Sequence, residues 1–256
     1  SRDDPAGRTG LTHLVEHLLF QNIGSFNGNQ WATSVVRTGG EFSGFTSEDF
    51  TAFYSNLPTY QLALAIKGEA ARMRAARFTK ADVVKEVEHL TAEAKAEEQD
   101  LNQTLNREVH ALAYEKHPYR NPPGGWRQEL QRLTYNEAKA HYDKYFQPNN
   151  ACIVLVGNFD EQIASTLIEK YFGIIQKAEN IPTAIYPQER PQLAERQIKL
   201  KANSGKESVI LAYKVVGIND NDAPVIAVIE QYLNMQLRGT HNLVDSGLCS
   251  SISNSF

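Results

Sequence analysis

The sequence predicts an α+β fold, a two-layer sandwich in which helices cover one side of a mixed or mostly antiparallel sheet. Three observations predict it. A leucine-rich helical stretch precedes two short aromatic and β-branched runs, EFSGF and DFTAFYSNL, which pair naturally as a hairpin. A long tract free of helix breakers follows. Strand-like runs and further helices then alternate to the end of the chain, with no repeat of fixed short period.

Each element has a local reason. Residues 10–20, GLTHLVEHLLF, carry apolar side chains at Leu11, Leu14, Val15, Leu18, Leu19 and Phe20, a helical spacing suited to packing on a core. A short helix is expected over 27–38, closed by Gly39 and Gly40. Two strands then join near Thr46 and Ser47, and Pro58 ends the second. Residues 59–78 resume helical spacing. From Thr79, a fitting N-cap, one long helix is expected to run through 80–115, too polar to be buried all round. HPYRNPPGGW is dense in proline and glycine and is expected to be irregular. Thr134 caps a helix over 135–146, stopped by Pro148. ACIVLVG is the most strand-like run of the chain, and a helix follows it through Phe172. After a proline-rich connector at 181–192, QIKL and ESVILAYKVV read as strands, residues 222–237 as a helix, and LCSSISNSF as a last strand. Tyr54, Tyr60, Tyr142, Tyr145 and Phe146 are expected to pack in the core or on the sheet.

Of the 256 residues 41% are hydrophobic and 22% charged, which excludes a disordered or fibrous chain. With 26 basic and 30 acidic side chains the formal charge is −4, and no basic patch interleaves with aromatics, so nucleic acid is not an expected partner. No run approaches the roughly 20 apolar residues of a membrane-spanning helix. Cys152 and Cys249 form no metal or disulfide pattern, and Cys152 is expected to be a small buried hydrophobe.

The first helix contains an anomaly for a leucine-rich segment: His13, Glu16 and His17, at offsets of three and four, share one face. Burying three such groups without partners is costly. A metal ion supplies partners for all of them. Catalytic zinc takes three protein ligands and keeps a fourth position for water, and a carboxylate that is not a ligand can accept that water's proton. In HLVEH the ligands are then His13 and His17 and the base is Glu16, an inverted order found among zinc peptidases. A third ligand is needed from another element. In KEVEHLTAEAKAEE, Glu86 and Glu93 are seven apart and so share a helix face, while Glu88, Glu97 and Glu98 are open alternatives by composition. His110 and His117 are available as well. His89, three residues after Glu86 and off the line from Glu86 to Glu93, is expected to be a surface residue.

HLVEH followed by EVEHLTAE resembles the M16 family of metallopeptidases, the inverzincins of pitrilysin and mitochondrial processing peptidase type. SRDDPAGRTGLTHLVEHLLF, GGEFSGFTSEDFTAFYSNLP, HPYRNPPGGW and QPNNACIVLVGNFD agree with that family in order, over roughly residues 1–172. The resemblance implies an M16-type two-layer sandwich, with residues 1–256 forming one N-terminal-type lobe. It implies Zn2+ as cofactor, His13, His17 and Glu93 as ligands, Glu16 as general base and Glu86 as a carboxylate supporting the site. It further implies an endopeptidase acting on peptides or unfolded segments, which add as an extended strand beside EFSGF at Ser43, Gly44 and Phe45. There the chain departs from the family, which usually has asparagine and alanine at the positions of Ser43 and Gly44. The family pairs two homologous lobes around a chamber, so a second M16-type lobe or subunit is an implied partner. A non-catalytic subunit of such a complex is the alternative implied function. The opening SRDDPAGRTG reads like the interior of a longer protein.

Overall fold

The computed structural model describes residues 1–26, 30–183, 186–201 and 208–239. The chain divides into two compact units, Ser1–Ser208 and Val209–Phe256. In the first unit α1 (Leu11–Leu18) is followed by β1 (Asn22–Ile23), α2 (Gln30–Arg37), β2 (Glu41–Thr46), β3 (Thr51–Asn56), α3 (Leu62–Ala75) and β4 (Ala76–Arg77). Then come α4 (Lys80–Glu97), α5 (Leu101–Ala113), α6 (Arg127–Leu130), α7 (Tyr135–Tyr145) and α8 (Glu161–Phe172). The second unit contributes α9 (Ala223–Gly239). Among the described residues no helix is long and apolar enough to cross a membrane.

The core forms where α1 meets α4, α7 and β2. Leu14, Val15 and Leu18 of α1 and Leu19 that caps it are fully buried, packed with Val83 and Leu90 of α4 and Tyr142 of α7. Burying four such side chains contributes on the order of 6–12 kcal/mol before entropy is counted. α1 is therefore the central helix of the unit, and its polar face is presented from a rigid support. β2 and β3 pair antiparallel in the register Glu41↔Asn56 to Thr46↔Thr51, and β1 pairs antiparallel with β4. The fold is thus α+β with small antiparallel sheets.

Several sequence expectations are corrected. The tract after Thr79 is two helices, because the Asp100 carboxylate accepts from the amides of Asn102 and Gln103 and so starts a new helix after the turn at 98–100. ACIVLVG, QIKL and the described part of ESVILAYKVV form no ladder. β-branched residues favour a pleated surface only where a partner edge covers them, and these runs have none among the described residues. Cys152 is accordingly exposed. Tyr54 and Tyr60 face solvent, whereas Tyr142 is buried as expected. The last strand, LCSSISNSF, lies outside the described residues, as does the start of the second helix at 27–29.

Candidate metal centre

The amino end of α1 is fixed by a carboxylate. Asp4 accepts from the backbone amides of Gly10 and Thr12, each at 2.9 Å, and from the Thr12 hydroxyl at 2.5 Å. An anion there also complements the helix dipole. Gly10 takes a left-handed φ of 83°, and a Cβ on it would lie 2.7 Å from the Gly124 oxygen and 2.5 Å from Leu130. The PPGGW turn therefore closes directly over the start of the helix. At the other end the buried Arg72 of α3 donates to the Leu19 carbonyl at 2.6 Å, its guanidinium lying 4.6 to 4.8 Å from the rings of Phe20, Trp31 and Phe53.

Between these anchors the polar face of α1 opens toward α4. His13 Nε2 and His17 Nε2 stand 3.2 Å apart. One ring nitrogen of each histidine and a carboxylate oxygen of the exposed Glu93 all lie within 4.8 Å of one another, and they are a candidate set for a metal ion. The donor set suits zinc. An ion about 2.05 Å from two nitrogens at a tetrahedral angle separates them by about 3.3 Å, close to the spacing observed. Burial, then His17 and His89, push His13 down to about 4, which leaves a neutral imidazole with a lone pair available. His13 Nδ1 is buried with no hydrogen-bond partner among the described residues.

The remaining carboxylates separate by their partners. Glu86 Oε2 lies 3.4 Å from His17 Nδ1, and Gln21 donates to the other Glu86 oxygen at 2.7 Å. That contact directs the opposite ring nitrogen of His17 toward His13, the usual use of a supporting carboxylate. Glu16 is buried, 4.0 Å from His13 Nε2, and accepts from the Thr46 hydroxyl at the end of β2 at 2.7 Å. Burial raises its carboxyl above the ordinary carboxylate value, opposed by the Thr46 hydrogen bond and the charge of His17, and Glu93 raises it further. Glu97 pairs with Arg107 at 3.7 Å and Glu98 with Arg127 at 3.0 Å, and neither belongs to the candidate set. Glu88 is exposed, and His117 is buried in a separate contact with the Tyr119 amide.

Ser43, Gly44 and Phe45 lie on β2, whose end reaches Glu16 through Thr46. Among the described residues β2 pairs only with β3, so its second edge has no ladder partner. A Cβ on Gly44 would meet Phe20 Cζ at 2.9 Å and Phe53 Cδ1 at 3.1 Å, which explains glycine at that position. Sequence reasoning did not single out Thr46 or Gln21. Gln21 was recoverable, being four residues after His17 on the same face. Thr46 had no signal beyond its place at a strand end. His89 is exposed, as expected, with its ring centroid 5.7 Å from that of His17.

Two family descriptions match the chain: insulinase (peptidase family M16) over residues 1–124, and the peptidase M16 inactive domain over 132–256. The zinc protease PqqE of Helicobacter pylori is 26% identical over 91% of this chain and 53% of its own length. The probable zinc protease PqqL of Escherichia coli is 24% identical over 83% of this chain and 24% of its own. The chain thus spans about half the length, or less, of these relatives. A crystal structure of a protease from Helicobacter pylori superposes with a TM-score of 0.70 at 25% identity, over 73% of this chain and 46% of that one. The first half of the periplasmic protease PqqL from Escherichia coli superposes at 0.65 and 23% identity, covering 73% of this chain and 42% of that one, a likeness of fold.

Proposed function

The chain belongs to the M16 peptidase family, and from that premise we propose that it is a lobe of a zinc-dependent endopeptidase that hydrolyses peptides or unfolded polypeptide segments. The observation that carries this reading is the convergence of His13, His17 and Glu93, from two helices about seventy residues apart in sequence, within 4.8 Å. Relatives named zinc proteases support zinc as the ion. Bound there, zinc supplies a Lewis acid that acidifies a water and polarises the scissile carbonyl.

The protein's own groups do the rest. Glu16 accepts the proton of the attacking water as its oxygen joins the carbonyl carbon. When the C–N bond breaks, Glu16 returns that proton to the leaving nitrogen, giving an amine and a carboxylic acid. Thr46 fixes the carboxylate for both transfers. Glu86 fixes the tautomer of His17. The unpaired edge of β2 receives the substrate as an added strand at Ser43, Gly44 and Phe45, through backbone hydrogen bonds that read little sequence. A second M16-type lobe completes the chamber, in keeping with relatives about twice as long.

A non-catalytic subunit is the second reading, favoured by the match of residues 132–256 to a domain described as inactive. The HLVEH motif lies in the other half, which argues for activity. Metal analysis of the chain and hydrolysis of an unfolded polypeptide by the longest protein its gene encodes separate the two. Glu16→Gln is expected to keep zinc and lower kcat by about 10²–10⁴-fold. Ordinary turnover in that variant removes Glu16 as the base, and a zinc-free parent removes the hydrolase reading altogether.

A further inference from the structure

The proline-rich connector forms no helix or ladder among its described residues, yet it and the residues just after it are tied down at several points. The backbone amides of Glu115, Lys116 and His117, three in succession, donate to the half-buried carboxylate of Glu189 at 3.1, 2.6 and 2.6 Å. Successive amides aimed at one anion form a nest, and bonds to an ionised acceptor are about twice as strong as neutral ones. Tyr186 donates to Asp3 at 3.1 Å, and its ring centroid lies 5.2 Å from the Arg2 guanidinium carbon and 5.2 Å from the His117 ring. Arg196 donates to the Leu112 carbonyl at 2.6 Å and pairs with Glu115.

These contacts hold the segment 114–126, which leads from α5 to α6. Its start is seated on Glu189. Midway, the Tyr119 hydroxyl lies 2.7 and 2.8 Å from the two carboxylate oxygens of Asp49, in the turn between β2 and β3. At its end the Trp126 amide donates to Thr9 Oγ1 at 2.9 Å, and a Cβ on Gly125 would lie 2.6 Å from the Gly10 nitrogen, so the turn packs directly on the start of α1. A Cβ on Gly124 would find His13 Nδ1 as its nearest neighbour, at 3.8 Å. The far end of the segment therefore borders a candidate ligand. Pro118, Pro122 and Pro123 fix φ within it, so a displacement at its start is carried along rather than absorbed. Resting on the zinc-peptidase reading above, we propose that Glu189 is a positioning residue: its carboxylate, seated in the amide nest at 115–117, holds the 114–126 segment against the start of α1 and so keeps His13 in the geometry that retains zinc.

The test uses the longest protein the gene encodes, with Glu189→Ala, Glu189→Gln and, as a charge-matched control at an exposed position nearby, Glu195→Ala. Zinc retention is read by competition with a chelator, in sodium formate and in sodium chloride of equal ionic strength. Glu189→Ala is expected to weaken retention about 10-fold, the low end of what a partner behind the ligands costs. Formate, a free carboxylate that suits three aimed amides, is expected to restore most of that loss and to leave the parent unchanged. Glu189→Gln keeps an acceptor oxygen without the charge and is expected to fall between the two, while Glu195→Ala matches the parent. Loss of general stability would not be repaired by formate over chloride, so the rescue reports the seated anion itself. Parent-like retention in Glu189→Ala overturns the proposal, as does a loss that formate and chloride treat alike, or an equal loss in Glu195→Ala. Should Glu189→Ala fail to fold, Glu189→Gln decides: parent-like retention there overturns it too. Failure of the underlying zinc reading shows separately, as a zinc-free parent, without any Glu189 variant.

Discussion

Glu93, Glu97 and Glu98 are close in sequence and chemically alike, yet what already holds each one separates them. Glu97 and Glu98 are paired with Arg107 and Arg127, while Glu93 faces His13 and His17. Competition with a chelator is expected to show Glu93→Ala weakening zinc retention at least about 100-fold and Glu97→Ala by only a few-fold; equal losses would take Glu93 out of the ligand set. Gly44 makes a second residue-scale case. Its missing Cβ makes room for the rings of Phe20 and Phe53, so Gly44→Ala is expected to destabilise by about 1–3 kcal/mol in urea unfolding, with zinc retained. A neutral result would mean that the rings shift aside. The histidine pair and its carboxylate were legible because all three lie on one helix turn, where spacing alone sets direction. Glu93 was legible only as one of several glutamates, because which side of α4 meets α1 is decided by packing of Val83 and Leu90 that spacing does not encode.

α1 can present the candidate ligand pair rigidly because both of its ends are held and its apolar side is sunk in the core. Arg72 → Met removes a buried cation from the Leu19 carbonyl and from Glu69 at 3.0 Å. Unfolding is expected to become easier by about 3 kcal/mol, with zinc bound more weakly because the helix end that bears His17 loosens. Unchanged unfolding would show that the aromatic cage closes without the charge. On the opposite side α1 meets α7 through the Thr12 hydroxyl, 2.9 Å from His141 Nε2. Since Thr12 donates to Asp4, His141 is the donor to Thr12. Burial holds His141 neutral, from 6.5 down to about 3. Between those values the unfolded chain binds a proton that the folded chain does not, so stability from this group is full above pH 6.5 and is lost as pH falls. Burial raises Asp4 from 3.8 to about 6, which acts with the opposite sign over that window, since there the folded chain binds the extra proton. Comparison with His141→Gln isolates the histidine: the variant is expected to lose up to about 2–3 kcal/mol less than the parent between pH 6.5 and 4.5. Parallel curves would exclude His141 as the titrating group. The capping boxes at Thr79 and Thr134 were readable from Thr-x-x-Asp and Thr-x-x-Glu, whereas the break between α4 and α5 was not, because no glycine or proline marks it and only the Asp100 cap starts the second helix.

At the scale of the whole molecule, the strand-like runs ACIVLVG, QIKL and ESVILAYKVV find no ladder among the described residues. In the first unit Val154 and Val156 are 75% and 92% exposed; in the second, Val209, Leu211 and Tyr213 are 77–83% exposed. β-branched and aromatic segments gain their stability from a covering edge, and left open they expose apolar side chains together with unpaired backbone groups. The relatives are about twice the length of this chain or more, so further sequence is available in proteins of this kind to cover such runs. The isolated 256-residue chain is therefore expected to self-associate with rising concentration in sedimentation velocity. Val154→Lys with Val156→Lys should reduce that association while zinc content stays that of the parent, because neither residue belongs to the α1–α4 centre. A chain that stays monomeric at high micromolar concentration would sink this expectation, since exposed runs of that composition in solution should pair with one another. Loss of zinc in the lysine variants would tie the strand run to the support of α1, through the helices that flank it, and would make the metal centre dependent on the sheet being complete.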